Sequence, residues 1–289
     1  MENKPNYNSI STLLDKAFES MALTPPGITL NSLKRFNSLF GGFRLREFSI
    51  LCGATGVGKT TLLANWSVDL LKQNVPHFVA SVETGPIDYL ARIISALLKE
   101  DLNTGDPVSV EKLSSAFHCM QDMIRDDNMF LSLYDYRVSN ETLMSDIKYM
   151  VDNHGCKVVF LDNLNFFMEI TSSQNQIIEM DKVIHDLIIF CKQVDVHIVM
   201  VMHPKKTDNG RVDSEFDIKG SSTAVQEAHN VFLFNRLPKN LLDSGEFTNF
   251  HRELKIQKCR RKGKSIGSKI ILRTINSVAY EEEAILSCH

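Results

Sequence analysis

The stretch Phe48-Ser-Ile-Leu-Cys-Gly-Ala-Thr-Gly-Val-Gly-Lys-Thr-Thr-Leu-Leu-Ala-Asn-Trp66 decides the fold. Its centre satisfies the pattern G-x-x-x-x-G-K-[ST], with Gly53, Gly58, Lys59 and Thr60 at the fixed positions. An apolar run precedes the pattern and a helical repeat of leucines follows it. This is the order of strand, loop and helix that a phosphate-binding loop requires, and it disfavours an ordinary glycine turn.

The residue types of this loop suit a bound polyphosphate. Glycines let consecutive backbone N–H groups point inward, and the following helix N-terminus adds partial positive charge. Lys59 is expected to reach the β- and γ-phosphates, and the Thr60 hydroxyl to bind Mg²⁺. The cofactors predicted are therefore ATP, or another nucleoside triphosphate, and Mg²⁺. The nucleotide-binding residues predicted from the loop are Gly53, Ala54, Thr55, Gly56, Val57, Gly58, Lys59, Thr60 and Thr61.

The composition is that of an ordinary globular protein. Of 289 residues, 43% are hydrophobic and 23% are charged, and no apolar run approaches the length of a membrane span, so we expect no membrane partner. Six scattered cysteines without Cys-x-x-Cys spacing exclude a zinc site and a disulfide framework, and they suit a reducing compartment.

Charge is distributed unevenly along the chain. The formal net charge is -3, yet the segment from Arg252 to Arg273 holds nine Lys or Arg residues against one acid, Glu253, which indicates a polyanionic partner. The N-terminal residues have no apolar signal region, and Glu2 and Asp15 argue against a transit peptide. We expect that the chain is used where it is made or that a presequence is missing.

Residues 9–22 have the apolar spacing of a helix, and Pro-Pro-Gly at 25–27 ends this segment. An amphipathic helix separated in this way cannot bury its apolar face alone. Two arrangements are open, because the helix can fold back on its own domain or dock on a neighbouring subunit. The chain is accordingly divided into an N-terminal linker or docking helix, 1–27, and one ATPase domain, 28–289.

Apolar strands alternate with helices through most of the domain, which predicts an α/β fold with a mostly parallel twisted sheet and helices on both faces. Antiparallel strands are expected at the C-terminal edge, and the polar segment 207–219 has the composition of a mobile loop. Strands are predicted at 48–52, 77–82, 129–133, 157–162, 196–202, 231–234, 253–257, 269–272 and 278–280. Helices are predicted within 28–43, after the phosphate loop, at 87–98, 109–124, 140–153 and 177–194, and after 220.

Three polar residues stand at the ends of different predicted strands, where an open α/β sheet binds its ligand. Asp162 has the placement of an acid that orders Mg²⁺, although a strand-end Asp can also cap a turn. Glu83 could polarise the attacking water or lie in a solvated turn. His203 could donate to the γ-phosphate or be an ordinary core histidine.

Several further motifs follow the phosphate loop in a fixed order. They are Ser81-Val-Glu83, Val158-Val-Phe-Leu-Asp-Asn-Leu-Asn-Phe-Phe-Met168, Val199-Met-Val-Met-His-Pro-Lys-Lys206, Gly220-Ser-Ser-Thr-Ala-Val-Gln-Glu-Ala-His-Asn-Val231 and Lys258-Cys-Arg260. Together they resemble the RecA-like core of hexameric replicative DNA helicases of the DnaB type. Within that family the chain is most similar to the mitochondrial helicase Twinkle and to the helicase half of phage primase-helicases. The similarity runs from about Ile28 to Tyr280.

The resemblance implies a role for each ambiguous residue. Glu83 would be the catalytic base, His203 the γ-phosphate sensor and Gln226 the link between nucleotide state and DNA. Arg260 would be a finger inserted into the neighbouring subunit's ATP site, with Lys258 beside it at the nucleotide. The catalytic set is thus Lys59, Glu83, Asp162, His203 and Arg260, and the metal-binding pair is Thr60 and Asp162.

The resemblance also implies DNA-binding residues and partners. The loop 205–219 would line a central channel and follow one strand's phosphates. Its predicted DNA-binding residues, with the coupling residue, are Lys205, Lys206, Arg211, Lys219 and Gln226. The implied function is a homohexameric ring that moves 5′ to 3′ on single-stranded DNA and unwinds forked DNA. Implied partners are a replicative polymerase and a single-strand binding protein, and the implied location is the mitochondrial matrix.

Some residues depart from the family pattern. Arg261-Lys-Gly-Lys-Ser-Ile-Gly267 adds positive charge and one residue after the predicted finger, and His229 replaces the usual Asp. No primase or zinc module is expected before the core. Two other functions therefore stay open: a RecA-like filament ATPase that binds DNA without unwinding it, and a structural relic that binds nucleotide without unwinding.

Overall fold

A mixed β-sheet organises the protein. The computed structural model describes residues 9–11, 13, 14, 17, 18, 26–100, 102, 109–124, 127–134, 138–163, 173–205, 210–219 and 222–282. Within these residues the strands are β1 (Phe48–Cys52), β2 (His77–Ser81), β3 (Met129–Leu131), β4 (Val158–Asp162), β5 (His197–Met202), β6 (Asn230–Arg236), β7 (His251–Cys259), β8 (Lys269–Ile275) and β9 (Val278–Glu282).

The sheet has the order β3-β2-β4-β5-β1-β6-β7-β8-β9. Neighbours from β3 to β6 are parallel, and those from β6 to β9 are antiparallel. The predicted mixed topology is therefore confirmed. Strands β1, β2, β4 and β5 are buried along their whole length, which explains their continuous apolar runs.

Helices cover both faces of the sheet. They are α1 (Lys34–Phe40), α2 (Lys59–Lys72), α3 (Pro86–Leu98), α4 (Val110–Met123), α5 (Asn140–His154), α6 (Ser173–Gln193), α7 (Ser222–Glu227) and α8 (Lys239–Asp243). Side chains of α1 to α4 join one core cluster, and those of α5 to α7 join the other. Alternate residues of β1 enter the two clusters, with Ile50 in one and Leu51 in the other. The short helix α8 was not predicted.

The two ends of the domain are joined through α1. The Glu281 carboxylate of β9 accepts hydrogen bonds from the backbone N–H groups of Arg35 and Phe36, at 2.7 and 2.8 Å. These donors have no partner inside the helix, so the acid caps the N-terminus from the far end of the chain. Upstream of α1, Ile28 pairs with Phe43 in an antiparallel bridge.

The described residues between 10 and 18 are helical, as predicted, and their apolar side chains are exposed. Ile10 is 81% exposed and Phe18 is 65% exposed. These side chains are therefore not packed on their own domain. The rest of the predicted segment 9–22 lies outside the described residues.

Residues 210–219 of the predicted mobile loop are held to the core at two points, and 206–209 lie outside the described residues. Val212 and Ile218 are buried in the core, and Ile218 pairs with Pro204 in an antiparallel bridge. The Asn235 side chain exchanges two hydrogen bonds with the Val212 backbone, at 2.9 and 2.8 Å. Composition indicated only that the segment is polar, whereas its two apolar residues anchor it.

No helix in the described part of the chain is long and apolar enough to cross a membrane. The described cysteines are all free thiols, four of them buried, and Cys119 is exposed. The sixth, Cys288, lies outside the described residues.

Candidate active site

The phosphate loop lies between β1 and α2, at the carboxyl edge of the parallel strands. Its first glycine is required by close packing, because a Cβ at Gly53 would lie 2.4 Å from the Phe234 carbonyl oxygen of β6. Gly58 has a φ of +102°, a conformation that L side chains rarely adopt. Lys59 is almost fully buried, and its Nζ donates to the carbonyls of Gly53 and Ala54, at 2.8 and 3.1 Å.

Thr60 and Asp162 form the predicted metal-binding pair. The Thr60 hydroxyl donates to Asp162 Oδ2 at 2.6 Å, and Asp162 is 1% exposed. Burial raises the pKa of Asp162 despite this hydrogen bond, and burial also lowers the pKa of Lys59. Each charge is therefore only partly compensated by its surroundings.

This donor pair fits Mg²⁺. Hydroxyl and carboxylate oxygens are the hard ligands that Mg²⁺ prefers, and the ion commonly keeps several waters and phosphate oxygens. No group of three or more His, Cys, Asp or Glu side chains among the described residues could form an all-protein metal cage. Thr60 and Asp162 would therefore hold the cation together with a polyphosphate.

Glu83, Asn163 and His203 form a chain of contacts beside the loop. Asn163 Nδ2 donates to Glu83 Oε2 and lies 3.0 Å from His203 Nε2. Since the Glu83 carboxylate can only accept, the amide nitrogen faces both groups and His203 Nε2 accepts. The neutral imidazole then carries its proton on Nδ1, which faces Thr55 Oγ1 at 3.5 Å, while Lys59 Nζ at 3.4 Å is a second donor beside it and forms no hydrogen bond with this tautomer. Burial and the nearby Lys59 lower the pKa of His203 and favour this neutral form.

A cavity of about 430 Å³ adjoins the outer side of the phosphate loop. Its lining includes Gly56 and Gly58 of the loop, Arg92 of α3 and Arg252 of β7. Arg92 NH1 donates to Thr61 Oγ1 at 3.4 Å, while its buried Nε has no partner within the described residues. The cavity therefore combines open space with cationic side chains next to the loop.

Lys258 and Arg260 lie at the opposite edge of the sheet. In the registers, Cys259 pairs with Asn230 and Asn230 with Ser49, at the amino end of β1, whereas the phosphate loop follows its carboxyl end. Both cationic side chains contact the C-terminal carbonyls of α7. Lys258 Nζ donates to the Gln226 carbonyl, and Arg260 NH2 donates to that of Glu227 at 2.8 Å.

Comparison with known proteins identifies the family. Residues 27–274 match the DnaB-like helicase C-terminal domain. The chain belongs to this family. It is 22% identical over 239 residues to a DNA helicase/primase of Enterobacteria phage T3, a match that covers 79% of this chain and 42% of the phage protein. The chain thus spans less than half the length of that relative.

Two solved structures share the fold of this DnaB-like domain. One is a DnaB-like replicative helicase described with its interactions with primase, with a TM-score of 0.76, 16% identity and coverage of 98% of this chain and 69% of that chain. The other is a separately solved ATPase domain, with a TM-score of 0.77, 16% identity and coverage of 96% of this chain and 100% of that chain. The predicted RecA-like fold class is confirmed.

The predicted DNA-binding residues of the DnaB-like domain have different environments. Lys205 Nζ donates to the Phe216 carbonyl at 2.9 Å, and Lys219 is exposed. Arg211 is largely buried, and its NH2 lies 3.0 Å from Oε1 of the buried acid Glu253. The structure thus places Arg211 in a structural ion pair instead of leaving it directed at solvent. Lys206 lies outside the described residues.

Two of the residues that depart from the DnaB-type pattern, His229 and Arg261, contact the start of β1. His229 Nδ1 accepts a hydrogen bond from the Phe48 N–H at 3.1 Å, and burial lowers the pKa of His229 to about 4. Arg261 Nε donates to Glu47 Oε1 at 2.7 Å, and Asn230 Nδ2 donates to Glu47 Oε2 at 3.1 Å. The unusual residues are therefore anchored to the start of β1.

Sequence reasoning missed three residues of the site. Asn163, which joins Glu83 to His203, directly follows the predicted metal ligand, and this position was its available signal. Arg92 is a lone cation on a predicted helix, and Arg252 was noticed only as part of a basic segment. Their contacts depend on side-chain direction and strand register, which no local motif encodes.

Proposed function

We propose that this chain is the ATP-hydrolysing motor of a replicative DNA helicase, which assembles as a homohexameric ring and moves 5′ to 3′ on single-stranded DNA. The observation that carries the proposal is the convergence of Lys59, Thr60, Asp162, Glu83 and His203, from four separate segments, around one phosphate loop. The polarity follows from the family resemblance alone.

Each side chain of the site has a separate role in the proposed hydrolysis reaction. Lys59 offers its ammonium to the β- and γ-phosphates, and Glu83 accepts the proton of the attacking water. Mg²⁺ held by Thr60 and Asp162 would neutralise charge on the phosphates. His203 Nδ1–H lies among the loop residues that face the γ-phosphate, so its hydrogen bond would be lost with that phosphate. Because Asn163 contacts both His203 and Glu83, loss of the γ-phosphate would also change the contacts of the Glu83 carboxylate.

The position of Arg260 supports its proposed role in the neighbouring subunit. The strand registers place Arg260 at the amino end of β1, whereas its own phosphate loop follows the carboxyl end of that strand. Its guanidinium can therefore serve a phosphate only on another subunit, where it would stabilise the charge of the transition state. In the single chain it is held by α7, the helix that carries Gln226.

Two exposed apolar surfaces support assembly. On α4, Val110, Leu113 and Phe117 form a stripe at helical spacing and are 81%, 43% and 59% exposed. The helical residues between 10 and 18 expose a second stripe. Apolar stripes of similar length can cover each other when the helix of one subunit lies on α4 of the next. We infer that this contact closes the ring.

DNA and the replication partners belong to the same proposal. Lys205 and Lys219 flank the segment that would face the channel, and their charges suit a phosphate backbone. Forked DNA, a replicative polymerase and a single-strand binding protein follow from the resemblance. The mitochondrial location stays a prediction, which microscopy of the tagged full-length protein in cells would test.

The proposal is tested by steady-state ATP hydrolysis with and without single-stranded DNA. Arg260→Ala subunits are mixed with Glu83→Gln subunits, and Arg273→Ala, which alters an exposed arginine of β8, is mixed with wild type as the control. Each variant alone should be nearly inactive, and the mixture should regain DNA-stimulated turnover, because a site can combine the Glu83 of one subunit with the Arg260 of the next. No recovery in the mixture would contradict an arginine that acts in trans.

Assembly and unwinding need their own measurements. Phe117→Ser should reduce the hexamer seen by analytical ultracentrifugation while leaving the unfolding midpoint of the monomer nearly unchanged. Closed six-membered rings and strand displacement on a fork support the helicase. Open helical filaments on micrographs, without strand displacement, would establish the filament ATPase instead.

A further inference from the structure

Arg252 is bonded to the backbone of the phosphate loop. Its Nε donates to the Val57 carbonyl at 2.9 Å, and its NH1 donates to the carbonyls of Asn249 and His251, at 2.6 and 2.9 Å. The side chain is half-buried and lines the cavity beside the loop. A residue from β7, nearly 200 positions along the chain, thus holds the loop from outside.

The bond fixes the direction of a neighbouring donor. A trans peptide unit is planar, and its C=O and N–H groups point in opposite directions. When Arg252 holds the Val57 carbonyl outward, the Gly58 N–H of the same peptide unit is turned toward the inside of the loop. Gly58 has φ +102°, and glycine reaches many other conformations when nothing restrains it. The hydrogen bond from Arg252 therefore restricts one of the glycines of the loop.

A second arginine occupies the paired position of the neighbouring strand. Arg236 of β6 pairs with Arg252, and Arg236 NH2 donates to the Gly56 carbonyl at 3.4 Å. Like charges that face each other across two strands repel, so hydrogen bonds to the loop must hold the pair together. Burial, followed by the charge of Arg236, lowers the pKa of Arg252. Two consecutive loop carbonyls are thus directed outward by the same strand pair.

We propose that Arg252 is a positioning residue for nucleotide binding, which keeps the Gly58 N–H directed at the phosphates through its bond to the Val57 carbonyl. The proposal rests on the nucleotide-binding function proposed above. It assigns Arg252 to the phosphate end of the ligand, so a diphosphate without base or sugar should depend on this residue as strongly as a nucleotide does.

The test uses the full chain and two probes, ADP and inorganic pyrophosphate, both with Mg²⁺. Arg252→Gln removes the positive charge and the planar guanidinium group, whereas Arg252→Lys keeps the charge without that group. Arg273→Gln is the control. Dissociation constants are measured by calorimetry on folded protein. Arg252→Gln should weaken both ligands by roughly tenfold, Arg252→Lys should recover less than half of this loss on a logarithmic scale, and the control should match wild type.

Amide hydrogen exchange of residues 57–61 without nucleotide provides a second readout, which does not depend on ligand binding. Exchange should accelerate in Arg252→Gln and not in Arg273→Gln. Wild-type pyrophosphate affinity in Arg252→Gln, or full recovery by Arg252→Lys, would overturn the proposal. If the wild type binds neither probe, the nucleotide-binding function fails, while the exchange rates still decide whether Arg252 fixes the loop.

Discussion

The two edges of the sheet differ in how complete they are within one chain. At the carboxyl edge, Thr60 contacts Asp162, and His203 contacts both Lys59 and Asn163, in each case through side chains. At the opposite edge, Lys258 and Arg260 contact backbone carbonyls of their own α7. Side chains beside the phosphate loop are thus positioned by one another within a single chain.

This difference indicates which side chains would depend on a neighbouring subunit. In the proposed mechanism the carboxyl edge would need only nucleotide and Mg²⁺ to be complete. The polar contacts of Lys258 and Arg260 in the described part of the chain are to neutral carbonyls. These bonds to α7 would have to be exchanged for bonds to a neighbouring subunit's phosphates. Changes at the carboxyl edge should therefore act in every subunit alone, and changes at the other edge only through its neighbour.

The largest expected effect is that of Glu83→Gln. Loss of the general base should lower kcat by at least about 100-fold, while nucleotide binding remains, because proton transfer contributes roughly 100- to 10,000-fold. Addition of Arg260→Ala subunits should restore part of the turnover, because each variant supplies the group that the other lacks. Glu100→Gln, which alters an exposed acid, is the control. Unchanged kcat in Glu83→Gln would remove Glu83 from the reaction.

Acidic pH should lower the stability of the fold through a histidine buried in the sheet. Burial lowers the pKa of His197 from 6.5 to about 4, so below pH 6.5 the unfolded chain binds a proton that the folded chain excludes. The contribution of His197 to the free energy of unfolding is therefore fully present above pH 6.5 and is lost as the pH falls toward 4. Between pH 7 and 5 the loss from this residue is on the order of 2 kcal/mol.

Urea unfolding of wild type and His197→Gln at both pH values checks this expectation. The variant should lose less stability on acidification, and His77→Gln should behave alike because burial also lowers the pKa of His77 to about 4. Equal losses in wild type and both variants would show that neither histidine is responsible.

A smaller effect is expected from Asn163→Ala. This change removes the group that joins Glu83 to His203, so kcat should fall by about tenfold, the equivalent of roughly 1.4 kcal/mol, with little change in KM. Kinetics at saturating ATP provide the measurement, with Asn153→Ala at an exposed asparagine as the control. A change in KM alone would place Asn163 in substrate binding.

Much of the carboxyl edge could be predicted from the sequence because local rules apply there. A glycine pattern between a strand and a helix fixes Lys59 and Thr60, and a buried strand that ends in an acid fixes Asp162. Asn163 and Arg252 could not be found in this way. The first acts by the direction of its amide group, and the second by a register between strands distant in sequence.

The prediction for the other edge was limited for a related reason. The motif Lys258-Cys-Arg260 named the residues through a resemblance, but only the pairing of β7 with β6 shows which edge they occupy. Polar composition likewise identified the segment 207–219 without revealing that Val212 and Ile218 bind it to the core. Patterns of single residues do not contain these long-range contacts.

In the proposed ring, strand β7 would set the distance between the catalytic centres of two neighbouring subunits. Arg252 at its start holds the phosphate loop of its own subunit, and Arg260 just beyond its end is directed, in the proposed ring, at the loop of another. At about 3.3 Å per residue, the eight steps between the two arginines span at most roughly 26 Å, because one of them lies in the irregular register opposite Val231 and Phe232. A one-residue deletion inside β7 would shorten this distance and turn every later side chain to the other face of the sheet. In the proposed ring, the distance between adjacent nucleotides would therefore depend on the length of this strand.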